Sequence, residues 1–133
     1  MANTIAHFEI PADDPEKLAA FYTALFGWKI EKYQGEGMGD MEYWGVETVP
    51  TDGQGHPTEQ GVNGGLMKRM MPEQQITNYI SVSNVDEYVA KATSLGATII
   101  VPKMPVPGMG WFAQFTDPSG NVLAIWQEDN AAA

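Results

Sequence analysis

The chain has 133 residues, 44% of them apolar, 18% charged and 11% aromatic, which suffices for a packed core and excludes a disordered polymer. It contains no cysteine, so disulfides, thiolate catalysis and cysteine-ligated metal or iron–sulfur centres are excluded. Seven basic against seventeen acidic residues give a formal charge of −10, which repels phosphate backbones and anionic lipids and argues against nucleic-acid or membrane partners. A cationic ligand suits this charge; so does plain solubility. No apolar run nears the roughly 18 residues that cross a bilayer. Met-Ala-Asn-Thr also lacks the layout of a signal peptide, so a cytoplasmic location is expected.

Ile5 to Ile10 reads as a strand. Asp14 then stands as a helix N-cap before Pro15, at a position where a missing N–H costs nothing. Leu18, Phe21, Tyr22 and Leu25 follow at one-sided helical spacing, and Gly27 supplies the left-handed stop. Trp28 to Tyr33 and Met41 to Val49 read as strands about a glycine-rich turn. Pro50 to Gln60 is a polar loop in which His56 is expected to be simply solvated, and Val62 to Met70 is a further strand. The methionines, Met70 and Met71 included, are expected mainly to fill the core.

The pattern then starts again. Thr77 to Ser83 is a strand, and Asn84 with Glu87 forms a reciprocal helix cap. Val85, Tyr88, Ala92 and Leu95 carry the apolar stripe up to Gly96. Ala97 to Val101, Met109 to Thr116 and Val122 to Gln127 are the last strands, and Asn130 to Ala133 is expected to fray. Ile10 matches Val82 at an offset of 72, Leu25-Phe26-Gly27-Trp28 matches Ser94-Leu95-Gly96-Ala97 at 69, and Gly61 matches Gly120 at 59. The lost three residues are assigned to a longer first strand-to-helix loop. The result is an α+β chain of two β-α-β-β-β modules, about 1–72 and 73–129. Each is too small to cover both faces of its own sheet, so the two are expected to pair as a single domain.

These residues resemble the vicinal oxygen chelate superfamily, which includes glyoxalase I, extradiol dioxygenases, methylmalonyl-CoA epimerase and the bleomycin- and fosfomycin-resistance proteins. The resemblance is carried by His7-Phe8-Glu9-Ile10, the Phe21-Tyr22 to Leu25-Phe26-Gly27-Trp28 helix exit, Gly64-Gly65-Leu66-Met67 and Phe115-Thr116-Asp117-Pro118-Ser119-Gly120-Asn121. It implies the glyoxalase-like fold, a paired and cupped mixed sheet with helices on the outer face. It also implies metal stations on the first and last strand of each module. Those stations fall on His7 and Tyr79, and on Gly65 and Ala124. Only His7 is an ordinary ligand, against the three or four N/O donors that a catalytic divalent ion takes. No metal or other cofactor is therefore expected, and Gly65 and Ala124 are expected to leave room where carboxylates would project.

Strand alternation, applied to that alignment, turns His7, Glu9, Asn63, Met67, Tyr79, Ser81 and Trp126 into the cup. Phe8, Ile10, Leu66, Ile80, Val82, Leu123 and Ile125 are left for the helix side. The strands holding Tyr43-Trp44 and Gly110 to Phe115 are further walls of undetermined register. The resemblance implies a metal-independent binder of a small organic molecule, drug or metabolite, acting as a homodimer. The alternative is a lyase, isomerase or dioxygenase acting on a small carbonyl compound, with or without a divalent metal at His7; a metal-free version would use His7 or Glu9 as base and Tyr79 as hydrogen-bond donor. A fold-only interaction protein is the third reading. Ordinary structural roles stand beside these: His7 as a core histidine bonded to a carbonyl, Glu9 at a solvated strand end, and Tyr79 and Trp126 as packing residues. No Gly-x-Ser-x-Gly turn, Gly-x-Gly-x-x-Gly or phosphate loop occurs.

Overall fold

Among the described residues each strand-rich half puts one helix on one sheet face, and the period of two along each strand then sorts side chains to the helix side or the opposite face. A computed structural model of the chain describes residues 3–33 and 42–133. The predicted glycine-rich turn and Met41 lie outside the described residues. The chain divides into two compact units, His7–Ile76 and Thr77–Ala133, the latter joined by residues 3–6.

The first unit contains β1 (Ile5–Ala12, from His7 onward), α1 (Pro15–Phe26), β2 (Lys29–Lys32), β3 (Tyr43–Glu47) and β4 (Gly64–Lys68). Its strand order is β2-β3-β4-β1, with β1 parallel to β4 and the other pairs antiparallel. Asp14 caps α1 by accepting from the Lys17 N–H at 3.2 Å, and Gly27 ends it at φ 73°. The buried set is Ala12, Trp44, Val46 and Leu66, with Phe8, Leu18, Tyr22, Trp28 and Ile30 packed against it. Tyr22 stacks on Trp28 with ring centroids 5.3 Å apart. The α1 stripe is narrower than its spacing predicts. Leu18 and Tyr22 face the sheet, whereas Phe21 and Leu25 are exposed along with Phe26.

The second unit contains β5 (Thr77–Ser81), α2 (Val85–Ser94), β6 (Thr98–Val106), β7 (Gly110–Thr116) and β8 (Val122–Glu128) in the order β5-β8-β7-β6. Again the β5–β8 pair is parallel and the rest antiparallel. Asn84 caps α2 by accepting from the Glu87 N–H at 2.9 Å. Its core is Val82, Val85, Ala113 and Ile125, with Ile80, Tyr88, Val89, Trp111 and Phe115 around it. Among the described residues no helix is long and apolar enough to cross a membrane.

Several expectations need correction. The residues missing from the second module are not all loop. β1 continues through Pro11 and Ala12, and the N-caps Asp14 and Asn84 are already only 70 apart, so the last residue of the difference lies in the helix. β6 does not stop at Val101; it runs on through Pro102 and Pro105. Proline lacks a ladder donor but is tolerated on an end strand, and β6 pairs only with β7, through a register shifted on both sides of Val101. The tail does not fray over its whole length. Asp129 accepts from the Ala131 N–H and from Trp111 Nε1, both at 2.9 Å. Gly108 donates to the Ala132 carbonyl, and Ala132 is buried. Met70, Met71, Met104 and Met109 are exposed rather than core-filling. The loop after β3 is also ordered, because Asp52 accepts from the Gln54 and His56 backbone N–H groups at 2.8 and 3.0 Å; His56 itself is exposed, as expected.

Leu66 is fully buried under α1, so Leu66→Ala is expected to cost about 2–5 kcal/mol through lost burial and the cavity it leaves. Removing the α2 cap in Asn84→Ala is expected to cost about 1 kcal/mol. Urea unfolding midpoints check both, and equal losses at the two positions would contradict this division of roles.

Candidate functional site

The face of the first sheet that turns away from α1 carries a hydrogen-bonded cluster. β1 brings His7 and Glu9 to this face two residues apart, while Phe8 and Ile10 turn toward the apolar core side. β4 pairs Gly65 with Glu9, and β3 pairs Gly45 with Gly65 and Tyr43 with Met67. Tyr43 is thereby on the His7 face and Trp44 in the core, the register that sequence alone leaves open. The Tyr43 hydroxyl lies 2.8 Å from His7 Nε2 and donates to Glu9 Oε2 at 3.0 Å. A hydroxyl has one proton. With that proton on the Glu9 bond, Tyr43 accepts from His7, which places the imidazole proton on Nε2. Burial lowers the His7 pKa from 6.5 to about 4, so the ring is neutral near pH 7.

The expected vacancy beside Gly65 is filled. A Cβ built there would collide with the Tyr43 hydroxyl and with the ring carbons that bear it. The residue that matters most in this half is therefore one the sequence presents only as an unregistered wall. Asn63 is also reassigned. Its Oδ1 accepts from the backbone N–H groups of Thr48 and Val49 at 2.7 and 3.0 Å, and its Nδ2 donates to the Val49 carbonyl at 3.1 Å. Those bonds make Asn63 a clamp on the chain leaving β3. Met67 is half-buried on the His7 face.

In the second unit, β5, β8 and β7 put Tyr79, Ser81, Ala124, Trp126, Phe112 and Gln114 on the face away from α2. Tyr79 pairs with Ala124, and Ser81 and Phe112 both pair with Trp126. Tyr79 is buried, accepts from Gln114 Nε2 at 3.3 Å, and has its ring 6.4 Å from that of Phe112. Ala124 is fully buried, while Ser81, Phe112, Gln114 and Trp126 are half-buried. Phe112 and Gln114 join the expected residues here. Gly110 extends this face, since a Cβ there would meet the Trp126 ring.

A divalent cation does not fit this donor set. Among the described residues no three His, Asp or Glu side chains gather to hold one. The two side chains on β1 that could ligate are joined by Tyr43 instead, and Gly65 has no donor and no room for one.

An α+β fold of repeated β-α-β-β-β units is that of the glyoxalase class. The family model described as Glyoxalase/Bleomycin resistance protein/Dioxygenase superfamily matches residues 4–125, and the chain belongs to this superfamily. It is 29% identical over 133 residues to the anthracycline biosynthesis protein DauV of Streptomyces sp. (strain C5), an alignment covering 92% of this chain and 46% of that protein. It is also 29% identical over 121 residues to the putative glyoxylase CFP32 of Mycobacterium tuberculosis, covering 90% of this chain and 43% of that protein. The chain thus spans somewhat under half the length of these relatives. Its fold matches a Streptomyces coelicolor methylmalonyl-CoA epimerase variant in complex with 2-nitronate-propionyl-CoA, with a TM-score of 0.68 and 14% identity over 100% of this chain and 99% of the epimerase.

The low pKa of His7 has a consequence for stability. An unfolded histidine takes up its proton near pH 6.5, whereas the folded ring resists until about 4. Between those values the unfolded state binds more protons, so stability falls as pH drops, by about 2 kcal/mol from this group at pH 5. Comparing urea midpoints at pH 7 and pH 5 should show a shallower loss in His7→Gln than in the wild type. Identical losses would show that His7 titrates normally in the folded chain.

Proposed function

We propose that the chain is a metal-independent binding protein for a small, planar organic molecule, recognised by the sheet faces opposite the helices. The carrying observation is the aromatic face of the second unit, where the half-buried Phe112 and Trp126 pair across β7 and β8, one step along the same face from the paired Ala124 and Tyr79. Aromatic walls with a few fixed polar groups, here Gln114 and Ser81, suit an organic ring system better than a strongly hydrated ion. The acidic balance supports a neutral or cationic ligand. Lys29, Lys32, Arg69 and Lys103 already pair with carboxylates, so much of the scarce positive charge is engaged. The relationship to anthracycline biosynthesis proteins supports a planar polycyclic compound as the first chemical class to try. Binding as a homodimer in the cytoplasm belongs to the same proposal.

One observation favours a second reading. The His7–Tyr43–Glu9 chain joins an imidazole, a phenol and a carboxylate, the groups that proton transfer next to a carbonyl uses. A lyase or isomerase reaction on a small carbonyl compound would draw on these residues in the first unit.

The two readings separate by mutation. Titration with an anthracycline glycoside, followed by quenching of tryptophan fluorescence and checked by calorimetry, should give saturable binding without added metal. Trp126→Ala and Tyr79→Ala are each expected to weaken it by about 1–3 kcal/mol, while His7→Ala leaves it nearly unchanged. Unchanged affinity in both aromatic variants would sink the binding reading. Turnover of a 2-oxo or thioester compound that is lost in His7→Ala and Tyr43→Phe would put the enzyme reading first.

A further inference from the structure

Gly65 is a glycine for an unusual reason. Its backbone is not in the left-handed region, so no turn or positive φ calls for it. The neighbouring Gly45, paired to it across β3 and β4, has open space where a Cβ would stand, the nearest atom being the Glu31 carbonyl oxygen at 4.0 Å. The sheet face itself therefore tolerates side chains. At Gly65 alone, a Cβ would meet the Tyr43 hydroxyl together with the ring carbons Cζ and Cε1. Glycine is required at 65 because the end of Tyr43 lies there.

That same hydroxyl bridges His7 Nε2 and Glu9 Oε2. It holds an imidazole and a carboxylate together by hydrogen bonds, the task a bound cation performs when both are ligands. We infer that Tyr43 and Gly65 form one coupled unit, in which the tyrosine hydroxyl stands in for a cation and bars position 65 from supplying a ligand. Exchanging both residues, Tyr43→Ala with Gly65→Glu, then converts the cluster into a divalent-cation site. The inference rests on the metal-free reading of the site and is independent of which small molecule the protein binds.

Two measurements test it, one of which needs no metal. Thermal melting of Gly65→Ala, Tyr43→Ala and the double variant forms a mutant cycle. Gly65→Ala is expected to lower the melting temperature by about 5 °C or more in the wild-type background, and by much less once Tyr43 is alanine. Additive shifts would overturn the coupling, whether or not the glutamate variants fold. Equilibrium dialysis of untagged protein against Ni²⁺ and Zn²⁺ is the second measurement, with circular dichroism checking that each variant is folded. Tyr43→Ala/Gly65→Glu is expected to bind near one ion per chain, at least about tenfold tighter than the wild type or either single variant, and to lose it on His7→Ala. A folded double variant with no gain, or a Gly65→Glu single variant that binds equally well, would overturn the inference and leave the metal-free reading standing. Near-stoichiometric metal on the wild type that disappears in His7→Ala would remove both.

Discussion

Among the described residues each unit has four strands and one helix, of 12 residues in the first and 10 in the second. Such helices are roughly 18 and 15 Å long, enough to cover one face of a short four-stranded sheet and no more. That shortage of cover organises the molecule. Side chains alternate along a strand, so every residue on the helix side must be apolar and every second residue is released from that demand. Val46 and Leu66 in one unit, and Ala113 and Ile125 in the other, obey the first condition. Their strand neighbours Gly45, Gly65, Gln114 and Ala124 occupy the released positions, and it is there that chemistry gathers.

The released faces use a common device in different geometries. Each sets a tyrosine beside a residue too small to contest its space: Tyr43 with Gly65, and Tyr79 with Ala124. A phenol brings a rigid apolar body and one polar tip, so it needs a partner for the hydroxyl and room for the ring. In the first unit His7 and Glu9 supply the partners. In the second, Gln114 donates to Tyr79, as an amide can where a carboxylate would bring charge. A larger residue at 65 would displace the Tyr43 hydroxyl, and a larger one at 124 would add a side chain directly opposite Tyr79. Small residues thus shape these faces although they contribute no functional group.

Much of this was legible in the sequence because it depends on short-range rules. The caps at Asp14 and Asn84 follow from local hydrogen bonding, and the assignment of Phe8, Leu66, Ile80 and Ile125 to the helix side follows from a period of two. What could not be read depends on register or on cooperation between distant segments. Tyr43 reaches His7 only because β3 pairs with β4 in one particular register, and a period of two does not specify that pairing. Asn63 looks like a cup residue by alternation, yet the turn beyond β3 consumes its amide. Pro102 and Pro105 resemble strand breakers until β6 is seen to pair on one side only. Ala132 resembles frayed tail until Gly108 is found donating to its carbonyl. The exposed Phe21 and Leu25 show the opposite failure, where a sound helical period overstates how much of the helix the narrow sheet can cover.

In the metal-free binding protein proposed above, holding His7 and Glu9 through a phenol rather than an ion changes what the cluster responds to. A divalent centre answers to metal supply and to every proton that competes for its ligands. A tyrosine bridge is covalently part of the chain and is neutral over the range in which the phenol keeps its proton, up to about pH 10 in an unperturbed tyrosine. Burial holds the imidazole neutral down to about pH 4, so the ring that shares the Tyr43 hydroxyl with Glu9 is uncharged across the physiological range. The bridge gives up the Lewis acidity on which metal-assisted reactions of carbonyl compounds depend. In exchange it offers a preorganised hydrogen-bonding surface that needs no loading step. Under the metal-free binding proposed above, that exchange favours recognition over metal-assisted turnover, so the phenol between His7 and Glu9 matters more to function than the histidine does.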